Sequence, residues 1–384
     1  MCLLVRYNCR NATGARAHTS RILSSQLITI CTFADLAVTI ASRRPATIEL
    51  GNCTISSSNN VIESTCPTQR ELILERAIKE LGERLDRLEP SPLPPSPPPC
   101  TPGRRTFAFN PQDNIVEHFF NPVSSGACGS LTVTMWGAGG GATSQYCGTG
   151  GGRAGSGGAG GFAQAMIPLQ ALRVFVGRPG LGRSYSTGAG GGNMSAVAIA
   201  GAGSGPDAWL VIAGGGGGGA GSFHQFHSGS GGAGGGVSGN DGTSANGRTG
   251  GKGGTQTSGG AAGSGASSSR GVAQIATAGQ FLQGGEATGD HYTAGWGGQG
   301  FYGGGAGGPG AQPSTPGAGG GGGSGKVPDG GILVAGSATE PARADSPLYQ
   351  TGVGVGAISP GSCNHASLPN GVDGGPGLVV LQWG

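Results

Sequence analysis

The chain has 384 residues, of which 87 are glycine, with only 11% charged residues and a formal net charge of +3. That much glycine excludes a helix-rich fold wherever it is dense, since each glycine in a helix interior costs about 0.8–1 kcal/mol relative to alanine. The lack of a strict Gly-X-Y register excludes collagen, and a mean hydropathy of −0.09 with low charge excludes a highly charged disordered chain.

The glycine is concentrated in the C-terminal part. Gly14, Gly51, Gly82 and Gly103 are the only glycines before residue 126. Basic and acidic residues nearly balance beyond that point and do not cluster, so nucleic acid is not an expected partner. None of the nine cysteines forms a CxxC pair, which argues against a zinc ribbon or a thioredoxin-type site. Asn11, Asn52 and Asn193 head glycosylation sequons. Cysteines and sequons together point to an oxidising, extracellular setting.

Residues 1–66 read as a β-rich N-terminal stalk segment. Residues 27–41 are apolar but short for a membrane span and carry Asp35 at their centre. A pair of strands is the expectation there, and a signal sequence behind a basic leader is the alternative. Residues 47–50 and 54–55 read as strand pieces, and 56–60 as a turn. The segment holds too few apolar residues to close a core alone.

Residues 67–89 read as a helix. Thr68 and Glu71 form a capping box, and Leu74, Ile78, Leu81, Leu85 and Leu88 follow the 4-3-4-3 spacing of a coiled-coil seam. Glu75–Lys79, Glu80–Arg84 and Glu83–Arg87 are i,i+4 pairs with the acid N-terminal. The alternative is an amphipathic helix packed on a neighbouring domain. Residues 90–103 form a proline-rich linker of polyproline II type, whose PxxP matches would otherwise be SH3 ligands.

Residues 104–384 read as a glycine-rich domain. Candidate strands fall at 106–109, 115–120, 131–136, 162–167, 172–176, 196–200, 209–213, 331–335 and 378–383. They are short, β-branched or aromatic, and bounded by turn residues, which points to a β-sandwich. Trp136, Trp209, Trp296 and Trp383 are the expected anchors of its core. The glycine runs need a separate account, because ordering glycine is costly and no side-chain burial offsets it. They either stay disordered or satisfy every backbone group laterally, as polyproline II-type helices packed side by side can do.

The runs SLTVTMWGAGGG, GGAGGFAQAMIPLQALRVFVGRPGLG, WLVIAGGGGGGAG, GWGGQGFYGGGAGG and DGGPGLVVLQWG alternate strands with glycine tracts in a fixed order. This pattern resembles the extracellular glycine-rich domain of the anaplastic lymphoma kinase and leukocyte tyrosine kinase receptors. It is also similar to glycine-rich proteins of bacteria, phages and large viruses, including tail-fibre tip adhesins. The resemblance covers about residues 104–384. It implies a β-sandwich from which a bundle of polyglycine II helices protrudes. No kinase domain accompanies it here, so it implies a fold more firmly than a receptor role.

Motifs that mimic catalytic sites fail on context. Gly137–Ala142 matches a dinucleotide fingerprint, but no helix pattern follows and no acid lies about 20 residues on. Gly320–Lys326 has P-loop spacing, yet Val327 and Pro328 stand where Ser/Thr and the helix start belong. No catalytic, metal or cofactor residue is expected. Recognition is assigned instead to Tyr146, His224, Phe226, His227, His291 and Tyr292, which lie in or beside glycine tracts and suit rigidly presented anchors. Trp296 and Phe301 are expected to brace the bundle.

The expected fold class is therefore mainly β: a β-sandwich with a protruding polyglycine II bundle, preceded by a short coiled-coil helix and a β-rich stalk. The expected function is non-enzymatic: a homo-oligomeric, trimeric fibre, spike or adhesin on a virion or cell surface, meeting a receptor or glycan. The trimer comes from fibre analogy and not from the heptads. A secreted ligand-binding or matrix protein is the alternative. No nucleic acid and no membrane span enter either reading.

Overall fold

The structure is a computed structural model. It describes residues 6–7, 18–22, 26–30, 38–39, 46–50, 53–58, 61–65, 79–80, 101–112, 116–144, 153–184, 187–221, 227–265, 275–288, 294–310, 315–360 and 371–384. The chain divides into two compact units, Met1–Pro98 and Pro99–Gly384, and is mainly β throughout.

In the first unit β1 (Arg6–Tyr7), β4 (Val38–Thr39), β5 (Ala46–Leu50), β6 (Cys53–Ser58) and β7 (Val61–Thr65) make an antiparallel sheet in the order β1-β4-β7-β6-β5. The hairpin of β2 (His18–Ile22) and β3 (Gln26–Ile30) stands beside that sheet in sequence. The turn expected over 56–60 is corrected at 56–58, because β6 continues through Ser58, while residues 59–60 lie outside the described residues. Its backbone pairs with β5 on one side and β7 on the other, and this double ladder overrides the turn preference of a serine run. Lys79 and Glu80 have helical backbone. The seam residues Leu74, Ile78, Leu81, Leu85 and Leu88, with Asn11 and Asn52, lie outside the described residues.

The second unit is built on two antiparallel sheets. One contains β8 (Gly103–Ala108), β10 (Ser130–Trp136), β11 (Phe162–Pro168), β17 (Ile332–Val334) and β18 (Leu378–Trp383), in the order β17-β11-β10-β18-β8. The other contains β9 (Glu117–Phe120), β12 (Leu172–Phe175), β13 (Ser195–Ile199) and β14 (Trp209–Ala213), in the order β14-β13-β12-β9. Each expected strand of this unit overlaps one of these nine. β15 (Ile275–Ala276) and β16 (Ala287–Thr288) form a small extra pair.

Period-two alternation explains how the sheets meet. Leu131, Val133 and Met135 of β10 point to one side, and Thr132 and Thr134 to the other. The first set shares a single apolar cluster with Leu172 and Val174 of β12, Val197 of β13, Val211 of β14 and Leu381 of β18. The two sheets therefore bury their facing sides against one another.

The tryptophans do not all serve this core, which corrects the sequence expectation. Trp136 lies on the opposite side of β10, in a second cluster with Phe162, Leu378, Val380 and the covering residues Ala342 and Val353. Its indole N–H donates to the Ala342 carbonyl at 2.8 Å. Trp209 belongs to a third cluster with Met194, Ile212 and Phe301. Trp296 packs among alanines of the glycine tracts. Trp383 alone packs against the main core. Strand parity decides each case: a large apolar residue on the outward side needs a cover of its own.

Candidate binding surface

Glycine tracts begin where strands end. β10 runs into 137–142 and β14 into 214–220, while 155–161 leads into β11 and 187–193 into β13. These segments are neither strand nor α-helix, and their bonding repeats every three residues. Gly137 and Gly140 donate to Gly161 and Gly158, Ala138 and Gly141 to Asn193 and Gly190, and Gly139 and Ala142 to Gly375 and Val372. Three successive residues thus address three different neighbours.

The 214–220 tract is surrounded. Its N–H groups donate to Gln299 and Trp296, to Ala138 and Gly141, and to Gly232 and Gly229. Its carbonyls accept from Gly161, Gly158 and Gly155, from Gly323 and Gly320, and from Gly192 and Ala189. The donor–acceptor distances run from 2.7 to 3.1 Å. Six neighbouring segments satisfy its backbone, as burial without water demands. The 319–323 tract is likewise enclosed, donating to Thr243, Gly218, Gly305, Asn240 and Gly215.

Close approach of the chains makes glycine necessary here. A Cβ on Gly217 would overlap the Gly320 carbonyl, and one on Gly216 would overlap that of Gly158. Such partners are backbone atoms, held by their own bonds, and cannot yield. The lattice still accepts methyl groups at chosen points. Ala138, Ala159, Ala189, Ala220, Ala294, Ala306 and Ala318 are each fully buried.

Polar side chains complete the ends. Ser195 Oγ accepts the Gly177 N–H at 3.0 Å where β13 meets the end of a glycine tract. Asp241 ties two tracts together, accepting from Gly253 N–H at 2.9 Å and from Lys252 Nζ at 2.7 Å. Burial pushes its carboxyl up, but the Lys252 bond, the Gly253 bond and the Lys252 charge together carry it below the ordinary aspartate value.

His227 is exposed at the start of a tract. Tyr146, His224, Phe226, His291 and Tyr292 lie outside the described residues. Described positions that flank them lie on adjoining tracts. Ser228 donates its N–H to Arg153 and its hydroxyl to Gly221, and Thr143 Oγ1 donates to the Ala220 carbonyl at 2.9 Å. A Cβ on Gly188 would meet the Ala294 carbonyl, and Ala189, next to Gly188, donates its N–H to Gly219. Asn193 is half-buried, with its backbone bonded to Arg178 and Ala138.

Trp296 and Phe301 sit inside the assembly. The Arg183 guanidinium lies over the Trp296 ring at 4.7 Å. Phe301 packs edge-on to Phe281 and Tyr302 and has Lys326 Nζ at 4.6 Å from its centroid. Burial lowers the Lys326 pKa, against an opposing pull from Asp207. Both cation pairings escaped sequence reasoning, since the partners are 113 and 25 positions apart and no periodicity links them. Among the described residues, no three His, Cys, Asp or Glu side chains gather as a metal ion would require, and no helix is long and apolar enough to cross a membrane. No protein-family model and no curated protein matches the chain.

Proposed function

We propose that the protein is a non-enzymatic display and recognition protein. In this reading 104–384 is a β-sandwich carrying a bundle of polyglycine II helices, and the preceding stalk joins copies into a trimeric fibre or spike on a virion or cell surface. The observation that carries it is the lateral bonding of the 214–220 tract to six neighbours with a three-residue repeat. Three residues per turn without internal hydrogen bonds is polyproline II geometry. A lattice bonded on every side is stiff, and stiffness suits presentation of a binding end at low entropic cost.

The adjoining tract ends at Arg153, Gly221, His227 and Ala294 form the binding end in this reading, with Tyr146, His224, Phe226, His227, His291 and Tyr292 as its contacts. The disulfide-bonded state of Cys128 supports an oxidising, extracellular setting. Light scattering on the full chain and on Pro99–Gly384 tests the arrangement. A trimeric full chain with a monomeric second unit is expected. A monomeric full chain overturns the fibre and favours a secreted ligand-binding or matrix protein, and two trimers would move the assembly contacts into the head.

A further inference from the structure

β8 and β9 are edge strands of different sheets, so no ladder joins them and side chains alone close the gap. Phe107 of β8 is buried in the shared core. Arg105, two residues earlier and so on the same side of the strand, sets its guanidinium over the Phe107 ring at 4.9 Å from the centroid. His118 of β9 brings its imidazole to the same ring, with centroids 5.3 Å apart. The His118 Nε2 is buried and has no hydrogen-bond partner. One aromatic ring is thus contacted both by a permanent cation and by a group that becomes one in acid.

We propose that Arg105, Phe107 and His118 form an acid-sensitive latch, which seats β8 against the second sheet near neutral pH and loosens it on acidification. A charged imidazole here would gain no described acceptor for its buried nitrogen and would be repelled by the nearby Arg105 charge. Among the described residues, the charged groups around it offer no compensation. From β8 the facing charge is Arg105. From β12 the cross-strand partner is the core residue Val174, while Arg173 and its partner Glu117 occupy the alternate, outward positions. Burial first, and the Arg105 charge second, hold the His118 imidazole below its usual 6.5.

The sign follows from linkage. The released strand binds a proton more readily than the seated one, so the latch is indifferent above the ordinary imidazole value and weakens as pH falls below it. β8 is the first strand after the proline-rich linker. Its release would therefore hand a further six residues, Gly103–Ala108, to the tether.

Hydrogen exchange of the full chain at about pH 7.5 and about pH 5, corrected for intrinsic rates, tests this. Protection of the Arg104–Ala108 amides is expected to fall several-fold at the lower pH while β10 and β11 keep theirs. His118→Phe should abolish the fall, and Arg105→Gln should reduce it. If His118→Phe does not fold, His118→Gln, which also cannot charge, gives the same readout. Unchanged β8 protection in the native chain, or an equal fall in the uncharged variants, would overturn the latch.

Discussion

At Gly217 a single hydrogen atom separates a closed lattice from a clash. A methyl group there meets the Gly320 carbonyl oxygen, and both chains are pinned by bonds to further tracts. Gly217→Ala should therefore destabilise the head by about 3 kcal/mol, the upper range for overpacking, because backbone cannot move aside. Gly203 is the control. A Cβ there finds open space, and Gly203→Ala should be neutral or stabilising by about 0.5 kcal/mol through the unfolded state. Thermal melts of the two variants give the comparison, and equal shifts would mean that glycine is not being selected by close approach.

Sequence separates these two positions only coarsely, with Gly217 in an unbroken glycine run and Gly203 near Ser204 and Pro206. Within a run it cannot say where a methyl group is excluded, since the buried Ala220 lies three residues from Gly217. Which position faces a carbonyl and which faces a gap depends on neighbours drawn from anywhere between residues 137 and 376. No local pattern encodes that.

At the scale of elements, the strands were legible because alternation leaves a trace in a seven-residue window. β10 reads as a strand from SLTVTMW without help. The side on which Trp136 falls was legible too, had strand parity been applied, since Leu131, Val133 and Met135 fix the inward face. Residues 56–58 proved to be strand and not turn because serine favours turns locally, while pairing on both flanks of β6 is a non-local fact. β15 and β16 escaped because two residues carry no period.

The tract pairs have a pH signature of their own. Asp241 holds its carboxylate on Gly253 and Lys252, and its pKa is lowered on balance. The stability it contributes is present above the ordinary aspartate range and is lost as pH falls through the lowered value. Asp241→Asn should flatten the acid limb of the melting curve below about pH 4 and leave neutral-pH unfolding cooperative. An acid limb unchanged by the substitution would show that Asp241 does not fasten the tracts.

For the whole molecule, two sheets with one core supply a base, and the glycine tracts extend from its strands as a hydrogen-bonded lattice. Among the described residues, that lattice has little hydrophobic packing of its own beyond Trp296 with Ala287, Ala294 and Ala306, and Phe301 with its aromatic neighbours. Its order must come from backbone bonds, each of modest net worth, about 1 kcal/mol, but strongly favoured once water is excluded. The candidate site was legible only as a set of chain positions. That flanking residues such as Arg153 and Ser228 are neighbours follows from tract register, which only the three-dimensional bonding defines.

Hydrogen exchange at the glycine amides measures that bonding directly. Residues 215–220 and 319–323 are expected to be protected to the same degree as β10 and β11, because their N–H groups are bonded and surrounded. Exchange of these tracts at the rate of an unstructured chain, with the strands still protected, would contradict that bonding.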